Sequence, residues 1–354
     1  MIMNRYRKGV NVGGWLSQYP SFSNNHFDTF ISKEDVERIA SWGFDHIRLP
    51  VDYPLLEDDA APFIYKEEGF RYIDRFLSWC SEYGLNVVFD LHKAPGYGFF
   101  ENDNTLFEDE RMQERLIGIW KAIADRYSHE GENLLFELLN EVVEDDSSRW
   151  NVLYPRLVQA VRESDSARWI IVGGNRYNAV GELRNLSLIE DGRIVYNFHF
   201  YEPYLFTHQR MQWVDVLRDY DKALYFPGQV TGIPEFIHKH PQYEYVRELD
   251  GQKMNRELLL AHLNKAREFQ SAHEVPLYCG EFGSVAVADP VSRVNWTREV
   301  VRFLRDNGIG SACWTYKAMD FGLVDENGEV VSEDLIRLLT DGTVSEYERE
   351  EENI

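Results

Sequence analysis

The chain of 354 residues has few cysteines and no long hydrophobic run. Its three cysteines, Cys80, Cys279 and Cys313, are too few and too odd in number for a disulfide framework. We therefore expect reduced, mostly buried thiols and a reducing compartment. No stretch approaches the roughly 18 consecutive apolar residues that a membrane-spanning helix needs, so no membrane partner is expected.

The first eight residues are basic, but no apolar segment of a secretory signal peptide follows them. The expected location is therefore cytoplasmic, or extracellular if a signal peptide has been removed. Positive charge is scarce throughout, since 37 Lys and Arg residues face 60 Asp and Glu residues, for a net charge of −23. Such a surface repels nucleic-acid phosphates, so nucleic acid is excluded as a partner. A neutral ligand such as a polysaccharide remains compatible, and solubility alone also explains the charge.

A glycine-rich phosphate loop is also lacking. Gly9, Gly13 and Gly14 do not form the fingerprint that an open doubly wound sheet carries after its first strand. Instead, eight short apolar runs alternate with helical patterns, which is typical of a parallel sheet buried on both faces. This order predicts a (β/α)8 barrel, with the open sheet as the alternative. The predicted strands are Gly9–Val12, His46–Pro50, Asn86–His92, Leu134–Leu139, Trp169–Val172, Arg193–His199, Leu277–Gly280 and Gly310–Trp314.

One segment, residues 202–254, interrupts this alternation after the sixth strand. It is rich in aromatic and charged residues and shows no clear strand–helix unit. A connection of this length is usually functional or carries its own structure. We predict a small, partly helical subdomain beside the barrel mouth, within a single catalytic domain that spans residues 1–354. A purely stabilising insertion explains the segment nearly as well.

Polar or aromatic residues follow six of the predicted strands at their C-terminal ends. This is the face where barrel enzymes carry their catalytic groups. Each residue alone has a structural explanation, but the set on one face indicates a site. Its members are Arg48 after strand two, His92 after strand three, Asn140 and Glu141 after strand four, His199 and Tyr201 after strand six, Glu281 after strand seven and Trp314 after strand eight.

Two of these residues, Glu141 and Glu281, are carboxylates that follow buried apolar strands. An ionised group in an apolar surround must be paired or shifted in pKa, so such positions are costly. Two strands that each deliver a carboxylate to one site meet the requirement of glycoside hydrolysis, which uses a pair of them.

The chain resembles glycoside hydrolase family 5 over essentially its whole length, and within it the clostridial endoglucanases of the C type. Members of that type also carry a helical insertion after strand six. Lys93 departs from the pattern, because relatives often have a second histidine there, so polar contacts at that edge of the site are expected to differ. The resemblance rests on Ile47–Pro50, Asp90–His92, Leu139–Glu141, His199–Tyr201, Gly280–Gly283 and Trp314.

The resemblance implies a retaining double displacement. Glu281 would be the nucleophile, and Glu141 would act first as general acid and then as general base. The charge of Glu281 is expected to raise the pKa of Glu141. Arg48 and the phenol of Tyr201 would keep Glu281 ionised.

The other predicted site residues would bind the sugar. Asn140 suits a hydrogen bond to a 2-hydroxyl, His92 and His199 would bond sugar or carboxylate, and Trp314 offers a flat apolar face. Further aromatic residues could serve as sugar platforms, although core packing explains each of them equally well. They are Trp15, Tyr97, Phe99, Tyr204, Phe206 and Trp213.

The expected substrates are soluble β-glucans, cleaved internally at β-1,4 or mixed β-1,3-1,4 linkages. A β-1,3-glucanase that acts at chain ends is the alternative, favoured by the opening Val10–Trp15. A non-catalytic glucan-binding protein is a remote second alternative, since both carboxylates are intact. No cofactor or catalytic metal is expected, because the only His-x-His pair, His238 and His240, lies in the insertion rather than after strand one. The sequence does not specify an oligomeric state, and a monomer is compatible with it.

Overall fold

The computed structural model describes residues 2–100 and 104–342. Eight parallel strands close into a barrel in which each strand pairs with its neighbours in chain order and the last pairs with the first. This confirms the predicted (β/α)8 architecture. The barrel strands are β1 (Gly9–Asn11), β2 (His46–Asp52), β3 (Asn86–Lys93), β4 (Leu134–Glu137), β5 (Ile170–Gly173), β6 (Ile194–Phe200), β7 (Leu277–Phe282) and β8 (Gly310–Cys313).

Three predicted strands end two residues away from the predicted position. Strand β2 continues through Pro50 to Asp52 and β7 continues through Glu281 to Phe282, whereas β4 stops at Glu137. Proline is tolerated in β2 because the pairing with β1 ends at Asn11 and Arg48, so no strand lies opposite the missing N–H. Since β4 ends early, the segment that carries the catalytic candidates of this strand is loop.

Helices surround the barrel, and a single 3₁₀ segment stands in the position of the fifth helix. The first begins with a capping box, because the Ser32 side chain accepts from Asp35 N and the Asp35 carboxylate accepts from Ser32 N. The outer elements are Lys33–Ser41, Glu67–Glu82, Glu110–Tyr127, Ser148–Ser164, the 3₁₀ segment Val180–Asn185, Arg256–His273, Pro290–Asp306 and Glu333–Thr340.

The N-terminal end of the barrel is closed by the start of the chain. A 3₁₀ turn, Ile2–Arg5, places Ile2, Met3 and Tyr6 against inward-facing strand residues. The strand residues of this cluster are Val88, Leu135, Ile171, Val195, Tyr278 and Ala312. Access to the barrel interior is therefore from the C-terminal end of the strands, where the predicted site lies.

The segment at 202–254 is partly helical, as the sequence predicts. Its small core includes Phe236, whose ring stacks on Tyr243 at 5.4 Å and meets Tyr220 edge-on at 5.2 Å. Its division from the barrel as a separate subdomain stays a prediction. Its elements are helices Tyr204–Thr207, Asp215–Tyr220 and Ile233–Lys239, the 3₁₀ segment Pro241–Leu249, and a strand pair Gly228–Gln229 and Lys253–Met254.

Short elements complete the fold. Among the described residues, no helix combines the length and apolar character that crossing a bilayer requires. The remaining elements are the helix Asn24–Thr29, the turn Asn175–Asn178 with its left-handed residues, the 3₁₀ turns Tyr53–Leu55 and Ser128–Asn133, and the strand pair Glu57–Asp58 and Ala61–Tyr65.

Candidate active site

A layer of polar side chains fills the barrel below its C-terminal mouth. Alternation along the strands points one residue in two toward the axis, and at this level those residues are polar. All are completely buried, so each needs partners inside the barrel. They are Asn11 on β1, Arg48 on β2, Asp90 on β3, Glu137 on β4 and Asn197 on β6.

Arg48 connects this layer to the mouth of the barrel. Its Nε and Nη2 atoms donate to the two carboxylate oxygens of Glu137 at 2.7 and 2.9 Å. Its Nη1 atom donates to Glu281 Oε1 at 2.7 Å. Its Nη2 atom also donates to Asn140 Oδ1 at 2.9 Å and lies 3.0 Å from Asp90 Oδ2. The planar guanidinium thus fixes several groups in one geometry, which a lysine could not do.

Glu281, on β7, receives a donor on each oxygen. Arg48 binds Oε1, and the phenol of Tyr201 donates to Oε2 at 2.9 Å. Burial raises the pKa of Glu281, and the charge of Arg48 and the Tyr201 hydrogen bond oppose that rise. The pKa of Glu281 still lies above its usual value, but both donors stabilise the carboxylate form, which a nucleophile must have.

Glu141 lies beyond β4 in a left-handed conformation, with φ of 44°. Its backbone is held by Tyr97, whose hydroxyl donates to the Glu141 carbonyl and accepts from Val143 N, each at 2.7 Å. Burial, and then the charge of Glu281, raise the pKa of Glu141 well above its usual range. This carboxyl group therefore tends to keep its proton, as a general acid requires.

The two carboxyl groups are close together. Oxygens of Glu141 and Glu281 and Nδ1 of His199 all lie within 4.8 Å of one another. Retaining glycosidases separate their carboxyl groups by about 5–5.5 Å, whereas inverting enzymes need about 6.5–9.5 Å to admit a water molecule. The separation here fits retention.

His199 links the two carboxyl groups in a defined tautomer. Its Nδ1 lies 2.8 Å from Glu141 Oε1, while its Nε2 faces the amide nitrogens of Asn178 and Asn197 at 3.3 and 3.5 Å. Because these amide groups donate, Nε2 must accept and Nδ1 must carry the proton. Burial lowers the pKa of His199 well below its usual value, so the ring is neutral and donates toward Glu141.

His92 and Trp314 form one wall of the site. Their rings stack at 5.9 Å with an interplanar angle of 9°, and Phe99 meets His92 edge-on at 5.2 Å. His92 Nδ1 lies 2.6 Å from Asp90 Oδ2, and its Nε2 lies 3.4 Å from Asn140 Nδ2. Burial lowers the pKa of His92 to about 4, so a neutral ring faces the cavity.

A cavity of about 290 Å³ opens above these groups. Two aromatic rings meet at it, since Phe100 lies 5.8 Å from Trp213 of the 202–254 segment. The Trp213 indole N–H also donates to Asp320 Oδ2 at 3.3 Å. Lining residues that the sequence did not indicate are Gln18, Phe100, His208, Met319, Asp320 and Phe321.

The eight residues predicted for the site therefore meet at one end of the barrel. Of the further aromatic candidates, Phe99 and Trp213 line the cavity, and Tyr204 is exposed and packs against His208 with its ring tilted by 31°. Tyr97 is buried and supports the Glu141 backbone. Trp15 and Phe206 are fully buried core residues, so for them core packing was the correct alternative.

Lys93 lies outside the catalytic cavity. It lines a neighbouring polar cavity together with Tyr53, Arg111 and Arg115. His240 packs on Phe236 within the 202–254 segment rather than at the barrel mouth.

The supporting residues that sequence reasoning missed include Glu137, Asn197 and Asn178. A charged residue inside an apolar strand was a usable signal for Glu137, since a buried charge needs a partner. For Asn178 there was none, because it ends a run of three left-handed residues that contains no glycine. Such strained backbone persists where surrounding contacts fix it, here the contact of Asn178 with His199.

Comparison with known proteins agrees with this geometry. Residues 5–320 match the family model described as "Cellulase (glycosyl hydrolase family 5)". The chain is 49% identical to Endoglucanase C of Acetivibrio thermocellus, over 95% of this chain and 98% of the relative. It is 32% identical to Cellodextrinase A of Ruminococcus flavefaciens, over 86% of this chain and 84% of the relative.

A solved structure shares the fold. Cel5A of Thermotoga maritima, in complex with cellobiose, superposes with a TM-score of 0.76 at 26% identity. The match covers 96% of this chain and all of the other, 100%. With the paired carboxyl groups and the barrel, these matches show that the chain belongs to glycosyl hydrolase family 5 and is a glycoside hydrolase.

Proposed function

We propose that this enzyme cleaves internal β-1,4-glucosidic bonds of soluble β-glucans, including mixed-linkage glucans, with retention of anomeric configuration. The observation that carries the proposal is the pair Glu141 and Glu281, with oxygens within 4.8 Å of each other at the base of the cavity. The likeness to an endoglucanase over nearly the whole chain supports internal cleavage.

In the first step, a Glu281 oxygen attacks the anomeric carbon. Glu141 gives its proton to the glycosidic oxygen, the bond from that oxygen to the anomeric carbon breaks, and a glycosyl–enzyme ester forms. In the second step, the Glu141 carboxylate takes a proton from water. The water oxygen attacks the same carbon, and Glu281 leaves as a carboxylate. Two displacements restore the original configuration.

Other groups in the cavity suit the sugar in the reacting position. Asn140 is held by Arg48 through its side-chain oxygen, which leaves its amide N–H₂ directed at the region of His92. Such a group can bind a 2-hydroxyl, a contact that strengthens in the transition state. The Trp314 ring offers an apolar surface to the face of a pyranose.

The test is a panel of barley or lichen mixed-linkage glucan, carboxymethylcellulose and laminarin. We expect a rapid fall in viscosity with few new reducing ends on the first two substrates, and little action on laminarin. Proton NMR during early turnover should show the β-anomer first. Release of the α-anomer first would contradict retention, and exclusive release of monosaccharide from chain ends would contradict internal cleavage.

Chain-end action is the second candidate, because one contact favours it. Trp213 spans from Phe100 to Asp320 beside the cavity and narrows the path for a long chain. If this contact persists with substrate, short products should dominate. The variant Trp213→Ala should then release longer products than wild type from the same glucan, with Tyr245→Ala, an exposed aromatic elsewhere in the 202–254 segment, as the matched control.

A further inference from the structure

A third glutamate lies directly beneath the two catalytic carboxyl groups. Glu137 is the last residue of β4, four positions before Glu141, and it is completely buried. Both of its oxygens accept from Arg48, and Oε1 also accepts from Asn197 Nδ2 at 2.8 Å. A buried carboxylate with three charge-assisted or amide donors is a fixed part of the site rather than a residue of the core.

Each hydrogen-bond partner of Glu137 also contacts a catalytic group or its neighbour. Arg48 donates through Nη1 to Glu281. Asn197 accepts from the backbone N–H of Gly280, the residue before Glu281, at 2.8 Å. Asn197 Nδ2 also lies 3.5 Å from His199 Nε2. Glu137 is therefore placed to fix the positions of Arg48 and Asn197, the two residues that hold Glu281 and the backbone before it.

Charge in this cluster is unbalanced. Arg48 contacts three carboxylates, Asp90, Glu137 and Glu281, and Glu141 lies beside them. Without the charge of Glu137, Arg48 would be less neutralised and would favour ionisation of the remaining carboxyl groups. The negative charge of Glu137 is one of the influences that raise the pKa of Glu141.

We propose that Glu137 is a positioning residue that holds the Arg48 guanidinium under Glu281 and places a third carboxylate beneath the catalytic pair. The proposal rests on the roles of Glu141 and Glu281 in the proposed function. Glu137 does not touch the substrate. It acts through its contacts with Arg48 and through the electrostatic effect of its charge inside the barrel.

Several titratable groups face Glu137 or act on it from the surrounding strands. Their ionisation also contributes to the pH dependence of activity. Arg48 neutralises it from β2, while Asp90 and His92 act from β3, and burial is the main influence that raises the pKa of Glu137 itself. The charge of Glu137 also acts on the phenol of Tyr278 on β7 and raises its pKa. The substitutions below leave all of these side chains in place.

The first test is Glu137→Gln, which keeps the size of the side chain and removes its charge. The alkaline limb of kcat/KM against pH should move to lower pH by about one unit, on the order expected when a buried like charge is removed. The loss of rate at alkaline pH should be smaller with an aryl glycoside than with a glucan, because its phenolate leaves without a proton from Glu141. A merely structural defect would lower the whole profile without moving its limb.

Two further variants complete the test. Asp35→Asn removes a buried carboxylate that accepts from Tyr316 at 2.6 Å and caps a helix, so it should leave the pH limb in place. Glu137→Asp keeps the charge but shortens its reach to Arg48, so kcat should fall tenfold or more, on the order expected for a misplaced catalytic group, while the alkaline limb stays. This variant carries the test if Glu137→Gln does not fold.

The outcomes separate the two proposals. A folded Glu137→Gln protein whose alkaline limb coincides with that of wild type overturns the role of Glu137. A Glu137→Asp protein with unchanged kcat overturns the positioning role. If instead wild type hydrolyses no glucan, or if Glu281→Ala retains its activity, the proposed function itself fails.

Discussion

Replacing Tyr201 by phenylalanine should move the acid limb of the pH profile to higher pH. In the structure the Tyr201 hydroxyl donates to Glu281 Oε2 at 2.9 Å, while Arg48 donates to the other oxygen at 2.7 Å. Burial raises the pKa of the Tyr201 phenol well above its usual value, so this donor keeps its proton throughout the working range. Phenylalanine keeps the ring contact with His208 and removes only the hydroxyl.

The magnitude follows from the strength of such a bond. A hydrogen bond to a charged group contributes about 1.5–3 kcal/mol. Since one pKa unit corresponds to about 1.4 kcal/mol, losing the bond should raise the pKa of Glu281 by about one to two units. Glu281 must be ionised to attack, so activity at low pH should be lost first. Because Arg48 still stabilises the ionised form of Glu281, we expect the lower end of this range, a rise in pKa of about one unit.

The assay is kcat/KM against pH with a soluble aryl cellobioside. We expect the acid limb of Tyr201→Phe to move up by about one unit, with the alkaline limb nearly in place. Tyr220→Phe is the matched control, because the Tyr220 hydroxyl donates to the Thr231 carbonyl within the 202–254 segment. If the acid limb of Tyr201→Phe coincides with that of wild type, Arg48 alone sets the ionisation of Glu281 and the reasoning is refuted.

Three further predictions follow from the same contacts. Azide should rescue both carboxyl variants, with α-glycosyl azide from Glu281→Ala and β-glycosyl azide from Glu141→Ala; the same anomer from both would contradict the assigned roles. Tyr97→Phe should cost about 1–3 kcal/mol in unfolding free energy, measured by urea denaturation, because the groups it bonds are left unpaired; an unchanged midpoint would argue against that bridge. A thiol reagent should label no cysteine before unfolding and all afterwards, since the three thiols are buried, namely Cys80, Cys279 and Cys313.

The barrel could be predicted because each of its strands is buried on both faces. Such strands appear in sequence as short apolar runs, and their regular alternation with helical patterns leaves few other folds. The ends of the strands were harder to place. Pro50 looked like a stop because the sequence does not reveal that β1 ends before it, and Leu138 and Leu139 continue an apolar run after pairing has ceased.

The catalytic candidates were also accessible from sequence, since polar residues that follow buried strands collect at one end of a barrel. What sequence could not give is contact between distant segments. Trp213 reaches Phe100 across more than a hundred positions of chain, and Asn178 reaches His199 only because three residues adopt left-handed conformations. Both contacts depend on loop geometry, which residue type alone does not specify.

Which carboxyl group keeps its proton depends on which of them contact Arg48, the cation inside the barrel. Four carboxyl groups converge near the mouth, and three of them, Asp90, Glu137 and Glu281, are bound by Arg48. The fourth, Glu141, is bound by the neutral ring of His199 instead. Burial raises the pKa of all four, but contact with a cation opposes that rise directly for three of them. The proton is therefore held most tightly by Glu141, so one arginine distinguishes acid from nucleophile in a pair of chemically identical side chains.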